Sequence, residues 1–170
     1  MRCPEIRRRK LTRFYNLRLP DFSSEASARR ILALDVGKKR IGLAISDPLG
    51  ITAQGLPTLI RTRIRDDLAQ LASLVREHEV SLLLVGKPLH MSGTESRQSV
   101  YTSEFAERLR RETGLSVTYW DERLTTVEAE RVLRESGASL DKRKKAVDQL
   151  AAVLLLESFL DAQKLKGNLP

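Results

Sequence analysis

Apolar residues follow two rhythms along this chain. ILAL (31–34), IGLAI (41–45) and VSLLLV (80–85) are short, nearly unbroken apolar runs, the pattern of strands covered on both faces. ILALD runs through GKKR into IGLAISD, and DPLG turns again into ITAQGLPTLI. Two such short connections predict an antiparallel three-strand meander. Beyond residue 60 the period changes. Ile64, Leu68, Leu71 and Val75 recur at helical spacing, VSLLLVG returns to a buried strand, Tyr101, Phe105 and Leu109 mark a second helix, and LSVTYW is a fifth strand. A strand–helix–strand–helix–strand run requires parallel neighbours joined by right-handed crossovers. After Trp120, Thr125 and Glu128 form the capping-box pair of another helix, and Gly137 suits its end. Asp141 then suits the cap of a last, long helix through about Gln163. The pattern predicts an α/β domain: three antiparallel strands, two more parallel to the first, and helices on the faces.

Composition narrows the function. At 170 residues the chain suits one domain with a proper core. Its longest purely apolar stretch, Leu150–Leu156, falls far short of the roughly 20 residues a bilayer span needs. One cysteine, Cys3, rules out an internal disulfide framework and fits a reducing, cytoplasmic setting. Two histidines, His78 and His90, with no cysteine partners argue against zinc. The net charge of +8 points to an anionic partner, with nucleic acid the leading class. Residues 1–28 hold seven Lys/Arg and three Asp/Glu, a net +4. They show no sustained period and no apolar core of a secretory signal, so they read as a basic, disordered extension. Residues 29–164 then form the folded domain, and 165–170 a tail.

Three carboxylates stand where packing does not call for them. Asp35 ends the first apolar strand and Glu122 follows the fifth, and ligands of open α/β sheets bind beyond such carboxyl ends. Asp148 shares a helical face with Ala151, Ala152, Leu155 and Phe159, where a carboxylate is costly unless a cation or donors meet it. Together they suggest an oxygen-ligand site for Mg²⁺ or Mn²⁺. Each also has a plainer explanation. Asp35 fits a turn cap, Glu122 fits an ion pair with Arg123 or Arg40, and Asp148 fits the solvent edge of its stripe. Around them Lys38, Lys39, Arg40, Lys87, Arg123, Lys142, Arg143, Lys144 and Lys145 are candidate phosphate contacts. The last four form KRKK at a helix start, where cations oppose the macrodipole, so they fit either phosphate contact or a tolerated exposed turn.

LDVGKKRIGLAISD, LLLVGKPLHMSGTES, YWDERLTTVEAE and AVDQLAAVLLLESFLD, in this order and spacing, closely resemble the YqgF/RuvX family. The resemblance covers about Arg30 to Ala162. It implies a ribonuclease-H-like fold, a mixed five-stranded sheet in the order 3-2-1-4-5 with helices on both faces. It also implies a nuclease of the 16S rRNA precursor, a family formerly described as Holliday junction resolvases. Asp35, Glu122 of the DER motif and Asp148 would be its catalytic acids. Structured RNA or a ribosomal precursor particle is the expected partner, with no membrane. A DNA resolvase, or a non-catalytic nucleic-acid-binding factor in transcription or ribosome assembly, is the alternative. Lys87 departs from the apolar residue more usual in VGKP, which would add a cation beside the site. The implied order also sets a fourth strand between Asp35 and Glu122, and strands about 4.8 Å apart would separate their backbones by about 10 Å. Actin-like ATPases resemble the same fold, but they need a second Asp-x-Gly loop and this chain has one DVG.

Overall fold

The computed structural model describes residues 30–87, 96–121 and 140–167, with side chains in the last segment from 147 to 165. β1 (Arg30–Val36), β2 (Arg40–Ser46) and β3 (Ala53–Ile60) form the meander, followed by α1 (Ile64–Glu77), β4 (Val80–Gly86), α2 (Arg97–Thr113), β5 (Ser116–Trp120) and α3 (Leu140–Gly167). The sheet order is β3-β2-β1-β4-β5. β1 pairs antiparallel with β2 and parallel with β4, and β5 pairs parallel with β4. This is the sheet read from the sequence. The helix between Thr125 and Gly137 falls outside the described residues.

Strand alternation divides the core in two. Leu32, Leu34, Val36, Ile41, Leu43, Ile45, Leu83 and Val85 pack with Phe105 and Leu109 of α2 and Leu71 and Val75 of α1. Ile31, Ala33, Ala44, Leu82, Leu84 and Trp120 face the other way, against Ala152, Leu155, Leu156, Phe159 and Leu160 of α3. The sheet residues under α3 include Ala33 and Ala44, small enough for a helix to lie close. Asp35 continues the Ile31–Ala33 row, so it points toward α3.

Two ends of the sequence reading shift. α3 starts at Leu140, which puts Asp141 inside the first turn instead of at the cap. An acidic residue there still favours the helix through its dipole. α3 also continues to Gly167, so residues 165–167 are helix and not tail. Lys164 Nζ donates to Ile51 O at 3.3 Å, tying that last stretch to the loop after β2.

A buried ion pair anchors the turn after Asp35. Arg61, just past β3, places Nε 3.1 Å from Asp67 Oδ2, with 7% and 1% of the side chains exposed. Its Nη1 donates to Gly37 O at 3.0 Å, and its guanidinium lies 5.1 Å and 4.9 Å from the Tyr101 and Phe105 ring centroids. Removing one partner of such a pair strands the other charge, at roughly 3–5 kcal/mol, whereas replacing both with apolar groups is often neutral. Arg61→Met is therefore expected to destabilise the domain by about that amount, and Arg61→Met with Asp67→Leu to recover most of it. Urea unfolding of the single and double variants checks this; a double variant no better than the single one refutes it.

Candidate functional site

The site lies at the carboxyl end of β1. Two aspartates end neighbouring strands of the meander, and their surroundings differ. Asp47, just after β2, accepts backbone N–H groups from Leu49, Ile51 and Thr52 at 3.2, 2.6 and 2.7 Å. Those bonds, the one from Thr52 foremost, hold its pKa below the usual value. Asp47 is a turn cap. Among the described residues, Asp35 receives no such donor and faces no paired cation. Burial, then the charge of Asp148, raises its pKa to about 6. A turn-capping role for Asp35 is thus without its hydrogen bonds.

Asp148 comes to this place on α3, on the face carrying the buried Ala151, Ala152, Leu155 and Phe159. Burial raises its pKa, and Arg40 opposes the rise. Arg40 Nε stands 2.6 Å from Asp148 Oδ2, with both side chains roughly a quarter to a third exposed. Oδ2 is nevertheless buried without a hydrogen bond of good direction, so close approach supplies charge more than directed bonding. Distance without alignment makes a weak bond, and a partly exposed pair of this kind contributes about 0–1 kcal/mol. Arg40 therefore satisfies Asp148 only in part, lowering its pKa by charge and hydrogen bonding without overcoming the effect of burial.

Gly42 makes the meeting possible, and nothing in the strand pattern alone singles it out. In the β1–β2 ladder it is the partner of Asp35. A Cβ built on it would lie 2.6 Å from the carbonyl carbon of Asp148 and closer still to the oxygen. The α3 backbone thus rests directly on β2 beside Asp35.

Leu34 pairs with Val85 and Gly86 pairs with Trp120, so at the level of Asp35 the intervening strand carries a glycine and no side chain. Trp120 is pinned to α3: Nε1 donates to Ser158 Oγ at 3.0 Å, and its ring meets Phe159 edge-on at 5.2 Å. Glu122 and Arg123 follow that anchored strand end but lie outside the described residues. Among the described residues, Asp35 and Asp148 are a pair and no group of three acids, histidines or cysteines forms.

The cations separate by face. Lys38 and Lys39 are exposed on the β1–β2 turn, where they border an open groove of about 580 Å³ with Arg61, Thr62 and Tyr101. Lys87 leaves the site. It continues the Leu83–Val85 row on the α2 side, with Nζ 5.3 Å over the Tyr119 ring. The expectation of a cation beside Asp35 fails there because one step along a strand reverses the side chain. Lys142, Arg143, Lys144 and Lys145 lie in the first turns of α3, and their side chains are outside the description.

The donor set suits a hard cation. One aspartate oxygen is buried without a directed partner, a second carboxylate stands beside it unbonded, and both are held in unfavourable ionisation by burial. Carboxylate oxygens are the ligands Mg²⁺ and Mn²⁺ prefer, and a divalent charge would relieve both groups.

Comparison with known proteins agrees with the fold. Thermus thermophilus RuvC in complex with a Holliday junction substrate superimposes with a TM-score of 0.51 at 14% identity, over 80% of this chain and 96% of that one. The fowlpox virus resolvase bound to Holliday junction DNA gives 0.50 at 13%, over 79% and 98%. These likenesses concern the ribonuclease-H-like fold. Nearer relatives carry the name "Putative pre-16S rRNA nuclease". The one from Koribacter versatilis is 53% identical over 83% of this chain and 92% of its own length. That from Syntrophus aciditrophicus is 50% identical over 78% and 89%. The family model for RuvX, described as Holliday junction resolvase, matches residues 29–162, and the chain belongs to the RuvX family.

Proposed function

We propose that this chain is a divalent-metal-dependent nuclease that hydrolyses phosphodiester bonds in the precursor of 16S rRNA. The observation that carries the chemistry is the pair of partly buried carboxylates, Asp35 and Asp148, at the carboxyl end of β1, both pushed toward the neutral form by burial and only Asp148 countered by a cation, Arg40. The name shared by the relatives at 53% and 50% identity supports RNA as the substrate.

In this reading Asp35 and Asp148 hold Mg²⁺ or Mn²⁺, with Glu122 as the third acid. When bound, the metal supplies Lewis-acid charge and an activated water. The protein's own work is placement. Gln98 Nε2 donates to Val36 O at 2.9 Å and Arg61 to Gly37 O, so both residues following Asp35 are held from the α2 side. A ligand fixed by its neighbours keeps reacting groups aligned, which is where proximity gains arise. Lys38, Lys39 and Arg40 follow within five residues of Asp35 and offer charge to the phosphates flanking the scissile bond. Arg123 and the KRKK run add to that set, whereas Lys87 is turned to the other face, over the Tyr119 ring. Among the described residues no helix is long and apolar enough to cross a membrane. The expected place of action is the cytoplasm, on ribosomal precursor particles.

The test incubates purified protein with Mg²⁺ or Mn²⁺ and equal concentrations of 16S rRNA precursor, mature 16S rRNA and a four-way DNA junction. Cleavage of the precursor alone is the expected result. Cutting of the junction with the precursor intact would give the resolvase reading instead. Tight retention of RNA without a cut under any metal would make the chain a binding factor.

A further inference from the structure

We infer that Gly42 is a positioning residue for the metal site: its missing side chain sets the height of α3 above the sheet and thereby the separation of Asp148 from Asp35. The inference rests on the proposed metal site.

Three observations meet at this residue. Gly42 is the ladder partner of Asp35. A Cβ there would strike Asp148's own backbone, at 2.6 Å from its carbonyl carbon and 3.3 Å from its Cα. Gly42 also sits at a break in the β2–β3 register: Ile41 pairs with Leu59 and Leu43 with Leu56, so Pro57 and Thr58 both oppose Gly42. The extra residue lies on β3, so the bulge bends that strand opposite Gly42. Asp148 reaches Asp35 at a point where the α3 backbone has no side chain beneath it.

The neighbouring glycine under α3 is a natural control. The atoms nearest a Cβ on Gly55 would all belong to the side chain of Gln149, with Cγ and Nε2 at 2.7 Å. A flexible side chain can rotate away; a helix backbone must move as a body. Ordinary carbon contacts lie at roughly 3.5–4.0 Å, so an alanine at position 42 must lift α3 by about 1 Å. Misplacement by about 1 Å costs on the order of 10²-fold in rate. An alanine at position 55 moves no carboxylate.

Mn²⁺ binding, followed by calorimetry and by the electron paramagnetic resonance of the free ion, reads the spacing without reference to turnover. Gly42→Ala is expected to weaken Mn²⁺ binding at least about tenfold, and Gly55→Ala by less than about twofold. Asp148→Glu in the native background should also weaken binding, because the longer arm overshoots. Combined with Gly42→Ala it should regain part of the affinity, because the longer arm spans the lifted helix. A damaged core would show no such rescue. Equal losses in the two alanine variants, or native affinity in Gly42→Ala, would overturn the assignment. If Gly42→Ala does not fold, Asp148→Glu alone decides: undiminished Mn²⁺ binding shows that the helix height does not set the spacing. A native protein that binds no Mn²⁺ at all would remove the metal site itself, which is a different failure.

Discussion

Replacing Asp35 with Asn is expected to lower phosphodiester hydrolysis at least about 10³-fold, or about 4 kcal/mol of barrier, while the fold is kept. An amide is a poor ligand for a hard cation, and one neutral group in place of a carboxylate leaves the proposed site with only Asp148 and Glu122 to hold the charge. The fold survives because the Asp35 carboxylate takes part in no hydrogen bond among the described residues, so Asn breaks none. Asp47→Asn offers the contrast: it alters a turn with three accepted N–H bonds and should affect stability before it affects rate. Rates at saturating Mg²⁺ for the native and Asp35→Asn chains, with matched circular dichroism, make the comparison. Excess EDTA should stop the native enzyme. A variant near the native rate, or cleavage that survives EDTA, would remove Asp35 and its metal from the chemistry.

The second large effect is on stability without metal, and it should run against the usual trend for carboxylates. Asp35 has a raised pKa, about 6 against an ordinary 3.8. Between these values the folded chain binds the proton more strongly than the unfolded chain. Stability is therefore greatest below about pH 4 as far as this group is concerned, and it falls as pH rises through 6. Solvent reaches part of the carboxylate, so the full cost is at most about 3 kcal/mol. Asp35→Asn removes the cost. In EDTA its melting temperature should exceed the native one by roughly 5–10 °C at pH 8, with the advantage fading toward pH 4. Asp148→Asn should stabilise less, because it also removes the partner of Arg40. At a hundredfold excess over Kd, Mg²⁺ should restore about 2.7 kcal/mol to the native protein and much less to either variant. Thermal melts at three pH values, with EDTA or Mg²⁺ at constant ionic strength, test both parts. A flat difference between native and Asp35→Asn across pH would show that the Asp35 charge costs nothing.

Much of this arrangement was legible in the chain itself. Unbroken apolar runs, two short turns and a change from strand to helical period determine the meander and the parallel crossovers, because each is a local preference repeated over several residues, whereas the sheet order came from the family resemblance. The same pattern marks Asp35 and Asp148 as polar groups in apolar rows, a contradiction visible without coordinates. Only the tertiary structure decided which plain explanations held. Asp35 and Asp47 look alike as strand-end aspartates, yet one caps a turn and the other has no donor, because the direction of nearby N–H groups depends on the path of the turn. Lys87 looks like a neighbour of the site and faces away from it, because side-chain direction reverses at each step along a strand. Arg61 and Asp67 carry no sequence sign of partnership, and they meet through the packing of α1 and α2 on the sheet. Gly42 is the clearest case. In a sequence it is one more small residue inside a strand, where glycine is ordinarily a weakness. Its function is a contact between backbones over 100 residues apart, and no local pattern records how closely two distant segments must approach.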